Sequence, residues 1–137
     1  MLDTNIVSLI IQGRDAALLG RLSQIPVSQA VMSSVTLAEL EYGLQRKGPP
    51  ARLKNALHQV LLRVGVLPWN ELVARCYGRV CFALEAQGIN LSDLDMMIAA
   101  HSIAADATLI SRDKAFQAVA SSDVKKLLPD QFRLEVW

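Results

Sequence analysis

An α/β fold in which helices cover a parallel sheet is the class this sequence predicts. Two observations carry it: short apolar runs alternate with longer stretches whose apolar residues recur at spacings of three and four, and such alternation of strand with helix is the pattern of a parallel sheet. A third observation sets the scale. With 137 residues, 52% of them hydrophobic, the chain supplies one substantial core, so residues 1–137 are expected to form a single domain.

The elements follow in order. Met1 and Leu2 start the first strand, and TNIVSLIIQ follows as an amphipathic helix. AVMSSV, near 30 to 35, reads as the next strand, leading into the helix TLAELEYGLQRK, which the GPP turn at 48–50 ends. ARLKNALHQVLLRV is helical, VGVLPW at 64–69 extended, and ELVARCYGRVCFALEAQ helical again. QGIN at 87–90 closes that helix, its glycine suited to a left-handed cap. SDLDMMIAAHSIAAD is the next helix, ATLIS at 107–111 a strand, DKAFQAVA a short helix, and QFRLEVW, alternating polar and apolar, a late strand. No internal repeat or low-complexity run interrupts this order.

Several function classes are disfavoured. No run approaches the roughly 18 to 20 apolar residues of a membrane span, and no basic segment leads into a signal-like run, so a cytoplasmic location is expected. Cys76 and Cys81 have neither zinc-finger nor CxxC spacing and read as buried reduced thiols. A net charge of +1 is not the global basic footprint of a nucleic-acid binder, so any such contact must come from a local patch.

Four acids stand at strand-to-helix junctions. Asp3 ends the first apolar segment; Glu39 lies three residues after Thr36 and Asp95 three after Ser92, both at capping-box spacing; Asp113 opens DKAFQAVA as an N-cap. Each acid alone is explained by helix stabilisation of about 0.5 to 2 kcal/mol. Their common location is not, because in an open parallel sheet ligands bind outside the carboxyl ends of the strands, where these helices begin. Converging carboxylates about 4 Å apart repel by roughly 4 kcal/mol at an effective dielectric of 20 and need protons or a cation. All-oxygen ligands suit Mg²⁺ or Mn²⁺, whereas zinc would recruit His or Cys. His58 and His101 lack metal-ligand spacing, and His101 is expected to be a packed or surface residue.

LDTN, SSVTLAELEYG, DMMIAAH and TLISRDKAF, in this order along nearly the whole chain, resemble the PIN-domain ribonucleases and specifically the VapC-type toxins. The resemblance implies a three-layer α/β/α fold with a central, mostly parallel sheet, and a Mg²⁺- or Mn²⁺-dependent endoribonuclease site. It also implies a homodimer, a higher toxin–antitoxin assembly and a VapB-type antitoxin that blocks the site. Asp3, Glu39, Asp95 and Asp113 match the family's acidic quartet. Asp93 does not: two residues from Asp95 on a helix is about 200° around the axis, so it is an alternative N-cap or a solvated acid. Asn5 and Ser111 stand beside quartet members and are candidates either to hydrogen-bond a ligating carboxylate or a metal-bound water or for loop or cap duty. Members of the family commonly carry several more residues before LDTN, so the start at Met1 is expected to be internal to the natural one, with a mobile, positively charged terminus near Asp3.

The mechanism expected from these residues has Asp3, Asp95 and Asp113 holding one or two divalent ions, Glu39 being a candidate further ligand, and Glu39 positioning or deprotonating water, leaving 5′-phosphate and 3′-hydroxyl ends. Arg112, Lys114, Arg46 and Lys47 are candidates for phosphate contacts. The resemblance makes structured RNA, often a tRNA, the substrate. An acidic pocket can be blocked by an arginine from the antitoxin, and Leu9, Ile10, Leu53 and Leu57 are candidates for its groove or for a dimer face, core packing being the other use open to each. Two other readings compete. A phospho-acceptor domain needs an acid pair near the first strand and a late-strand lysine, and here Thr4, Asn5 and Arg112 stand at those places. A catalytically inactive PIN-like scaffold would bind peptide or RNA without cutting; the complete quartet argues against it and the short N-terminus for it.

Overall fold

Residues 1–46, 48, 51–128 and 132–137 are described by a computed structural model. They divide into two compact units, Leu2–Pro68 and Met1 together with Trp69–Trp137. Lys47 and the two prolines of the GPP turn lie outside the described residues.

In the unit Leu2–Pro68, helix α1 (Thr4–Gln12) has the bounds its periodicity predicts. Asp3 caps its N-terminus and Gly13, left-handed at φ 66°, ends it, the glycine N–H donating to the Leu9 and Ile10 carbonyls. Ile6, Val7, Ile10 and Ile11 are buried on its inner face, each contributing about 1.5 to 3 kcal/mol of apolar burial. Helix α2 (Ala16–Gln24), capped by Asp15, and a 3₁₀ turn at Val27–Gln29 fill a stretch in which no element is expected from the sequence pattern. Only Leu18 and Leu22 of α2 are buried, a signal too thin to read. Arg63 closes the end of α2, its guanidinium donating to the carbonyls of Leu22 (2.5 Å) and Ile25 (2.9 Å).

Strand β1 (Val31–Ser33) is shorter than AVMSSV suggested, because α3 (Ser34–Arg46) starts two residues before Thr36. Ser33 makes the turn, its hydroxyl accepting from the Val35 N–H at 3.0 Å. The expected Thr36–Glu39 capping box is therefore absent: Thr36 is a buried residue of the first helical turns, its hydroxyl without a hydrogen-bond partner among the described residues. Helix α4 (Ala51–Leu61) packs on α1, and β2 (Gly65–Leu67) pairs in parallel with β1, Val31 opposite Gly65 and Met32 opposite Val66. Leu2 adds a single parallel bridge to Met32. Ile10 and Leu57 belong to this core and are no exposed groove or dimer face.

In the other unit, α5 (Glu71–Glu85), capped by Asn70, packs along α6 (Asp93–Ala104), capped by Ser92. Ile98 to Ile103 are buried without a break, so the second half of α6 is enclosed all round rather than amphipathic. Gly88, at φ 64°, makes the expected left-handed turn after α5. No disulfide joins Cys76, which is buried, to the half-buried Cys81. Strand β3 (Leu109–Ile110) pairs in parallel with the late strand β4 (Leu134–Glu135), and two short helices, α7 (Ala115–Val119) and α8 (Ser122–Leu127), lie between them in sequence. Among the described residues no helix is long and apolar enough to cross a membrane.

Candidate active site

Asp3 is a buried carboxylate, 2% exposed, whose Oδ1 accepts the Ile6 N–H at 2.7 Å. The N-terminal end of a helix favours negative charge there. The next residue, Thr4, donates its hydroxyl to Glu39 Oε2 at 2.5 Å, so α1 and α3 bring Asp3 and Glu39 into one constellation. Glu39, half-buried and well inside α3, forms part of the wall of a groove of about 110 Å³ whose other lining includes Ile11, Leu40, Leu44 and Leu53. Of the expected groove residues, Leu53 is thus on the groove, while Leu9 is half-buried on α1. Thr4 was not singled out in the sequence; its signal was a hydroxyl directly after a helix-capping acid.

The other two acids sit in the unit that holds α5 to α8. Asp95 keeps its expected cap geometry, its N–H donating to Ser92 Oγ at 3.2 Å while Oδ2 accepts from that hydroxyl at 2.6 Å. Asp93 is exposed at the first position of α6, a solvated acid and not the N-cap. The helix expected to open at Asp113 begins at Ala115 instead, because a turn led by Ser111 comes first. Ser111 is buried and its hydroxyl accepts the Asp113 N–H at 2.9 Å; Asp113 Oδ1 in turn accepts the Ala115 N–H at 2.9 Å. Ser111 therefore holds the backbone of Asp113, whereas Asn5 is exposed on the first turn of α1.

The basic candidates differ among themselves. Arg112 donates to the carbonyl of Trp137, Lys114 is exposed, and Arg46 lies 5.8 Å from the ring centroid of Tyr42 on the same helix. Lys47 lies outside the described residues. The expected mobile, charged terminus near Asp3 is replaced by an ordered one: the Met1 amine donates to the Thr108 carbonyl at 2.6 Å, and the Met1 carbonyl accepts from Ile110. Burial lowers the pKa of that amine from 8.0 to about 6.

Within neither unit, among the described residues, do three His, Cys, Asp or Glu side chains gather as a metal-holding group. The donor types nevertheless fit a hard cation: carboxylates at or just before helix starts, with Glu39 further along α3, hydroxyls beside them, and no imidazole or thiolate in their hydrogen bonds given above.

His101 is buried on α6, 2% exposed, with its ring edge-on to Trp69 at 6.0 Å, a packed residue as its sequence suggested. Burial lowers its pKa below the ordinary 6.5. The unfolded chain then binds the proton more readily, so this contribution to stability is complete above about pH 6.5 and is lost as pH falls through the depressed folded value. Urea midpoints should fall between pH 7.5 and pH 5, less steeply for His101→Gln; equal slopes would remove His101 as the cause.

The PIN domain family model matches residues 1–122. The chain is 34% identical to Ribonuclease VapC1 of Haemophilus influenzae strain R2866, an alignment covering 87% of this chain and 90% of that protein. It is 32% identical to the tRNA(fMet)-specific endonuclease VapC of Shigella flexneri over 74% of this chain and 76% of the relative. Among solved structures, VapBC2 from Rickettsia felis bound to a promoter DNA fragment aligns with a TM-score of 0.86 at 26% identity, covering 100% of this chain and 97% of that one. VapBC-1 from nontypeable Haemophilus influenzae aligns at 0.81 and 29% identity, covering 100% and 96%.

Proposed function

Because the chain belongs to the PIN-domain family, and within it to the VapC ribonucleases of toxin–antitoxin systems, we propose that it is a metal-dependent endoribonuclease toxin that cuts structured RNA, a tRNA in particular. The observation that carries the reading is the linked pair in the first unit, a buried helix-capping Asp3 joined through the Thr4 hydroxyl to Glu39. A purely structural role needs the cap but not the second carboxylate. Asp3, Asp95 and Asp113, with Glu39 as a further ligand, would hold Mg²⁺ or Mn²⁺. When bound, the cation lowers the pKa of a water and stabilises charge on the scissile phosphate. Glu39 orients the attacking water and takes its proton. In-line attack on phosphorus leaves a 5′-phosphate and a 3′-hydroxyl. Lys114 and Arg46 supply phosphate contacts, and RNA binding weakens with added salt.

The solved relatives named above are VapBC complexes, which supports a VapB-type antitoxin as partner; a homodimer within a larger assembly is part of the same proposal. The groove between α1, α3 and α4 suits an apolar antitoxin segment, and Glu39 on its wall suits an arginine that competes with the cation.

Antitoxin-free protein is expected to cleave total tRNA with Mn²⁺ or Mg²⁺, to stop in EDTA, and to leave 5′-phosphate ends by end mapping. Asp95→Ala, shown to be folded by circular dichroism, should not cleave. A folded wild-type protein that binds RNA but cuts none would identify an inactive scaffold; equal cleavage by both proteins would misplace the site.

A further inference from the structure

Resting on the ribonuclease reading, we infer that Thr4 is a positioning residue that fixes the carboxylate of Glu39 relative to Asp3. The Thr4 Oγ1 to Glu39 Oε2 distance of 2.5 Å lies in the short range of a hydroxyl donating to a charged carboxylate.

Local chemistry explains why this hydroxyl is available. A Thr at a helix start usually satisfies a backbone N–H of the first turn, but Asp3 already does so through Ile6. Thr4, branched at Cβ and half-buried, has few rotamers, so its hydroxyl direction follows from the α1 backbone. That backbone is itself anchored, the Asp3 carbonyl accepting the Val7 N–H at 3.1 Å.

Glu39 has the opposite problem. Its side chain is long, and its place beyond the first turn of α3 puts it out of reach of the unpaired N–H groups at that helix's start. The Thr4 hydroxyl pins one oxygen of the carboxylate and sets the plane in which the other is presented. One peptide unit and one hydrogen bond thereby fix two acids from different helices, the tolerance a general base or metal ligand needs.

The test compares Thr4→Val and Thr4→Ala, which remove the hydroxyl, with Thr4→Ser, which keeps it. Mn²⁺ affinity is measured by calorimetry on RNA-free protein, tRNA cleavage is resolved into kcat and KM, and urea midpoints are recorded. Thr4→Val and Thr4→Ala should bind Mn²⁺ about ten- to a hundredfold more weakly, the usual consequence of losing a ligand's hydrogen-bond partner, with kcat reduced and KM unchanged. Thr4→Ser should restore both. Wild-type affinity and kcat in the hydroxyl-free variants would overturn the inference alone, as would Thr4→Ser impaired as deeply as Thr4→Val. Wild-type protein that itself neither binds Mn²⁺ nor cuts tRNA would overturn the ribonuclease reading and the inference with it.

Discussion

Asp3→Asn should leave a folded protein that cuts RNA more than about a hundredfold more slowly, beyond what losing a mere outer partner of a metal site costs. The substitution separates two duties of one side chain. Asparagine caps a helix about as well as aspartate, so the bond from the Ile6 N–H survives. The negative charge does not, and a neutral amide is a poor ligand for Mg²⁺. Asp3→Ala removes both and should lose an additional 0.5 to 2 kcal/mol, roughly the worth of an N-cap. Single-turnover cleavage beside urea unfolding distinguishes the cases. Wild-type cleavage by Asp3→Asn would mean that Asp3 serves the helix and not the chemistry.

Phe116→Ala should be the most destabilising of the substitutions considered, by about 3 to 5 kcal/mol, against a total of about 5 to 15 kcal/mol for an ordinary domain. Phe116 is 1% exposed and, with the fully buried Val119, is what holds the short helix α7 to the rest of its unit. A helix of that length does not persist alone in water. The Ala115 N–H that binds Asp113 belongs to its first turn, so losing the anchor should also unseat that acid. Urea unfolding reads the first effect, and cleavage under conditions where the variant is folded reads the second. A loss below about 1 kcal/mol would show that α7 is anchored elsewhere.

How much of this was legible depended on whether a residue's role was local. TNIVSLIIQ carries its periodicity and both caps in its own neighbourhood, and its bounds were read as they stand. Ser92 and Asp95 were legible for the same reason. Thr36 was misassigned because Ser33, Ser34 and Thr36 all resemble caps, and only the strand's early end selects Ser33. Helix α2 escaped because two buried leucines make no pattern. The Thr4–Glu39 bond joins residues on two helices, and no spacing rule reaches across that distance. The acids themselves were legible only as a set, through their order along the chain; singly each was a cap.

The parallel pairing of the short strands bears on how quickly the molecule forms. Val31 meets Gly65 only after α3 and α4 have been traversed, and Leu109 meets Leu134 only after α7 and α8. Neither ladder can nucleate as a hairpin, so loop-closure entropy is spent before any strand bond repays it. The helices, whose contacts are local, are therefore expected to form early and the ladders late. Refolding should be slower than for a helical bundle of this size, and truncating the fully buried Met32 of β1 should chiefly speed unfolding and leave the folding rate nearly unchanged.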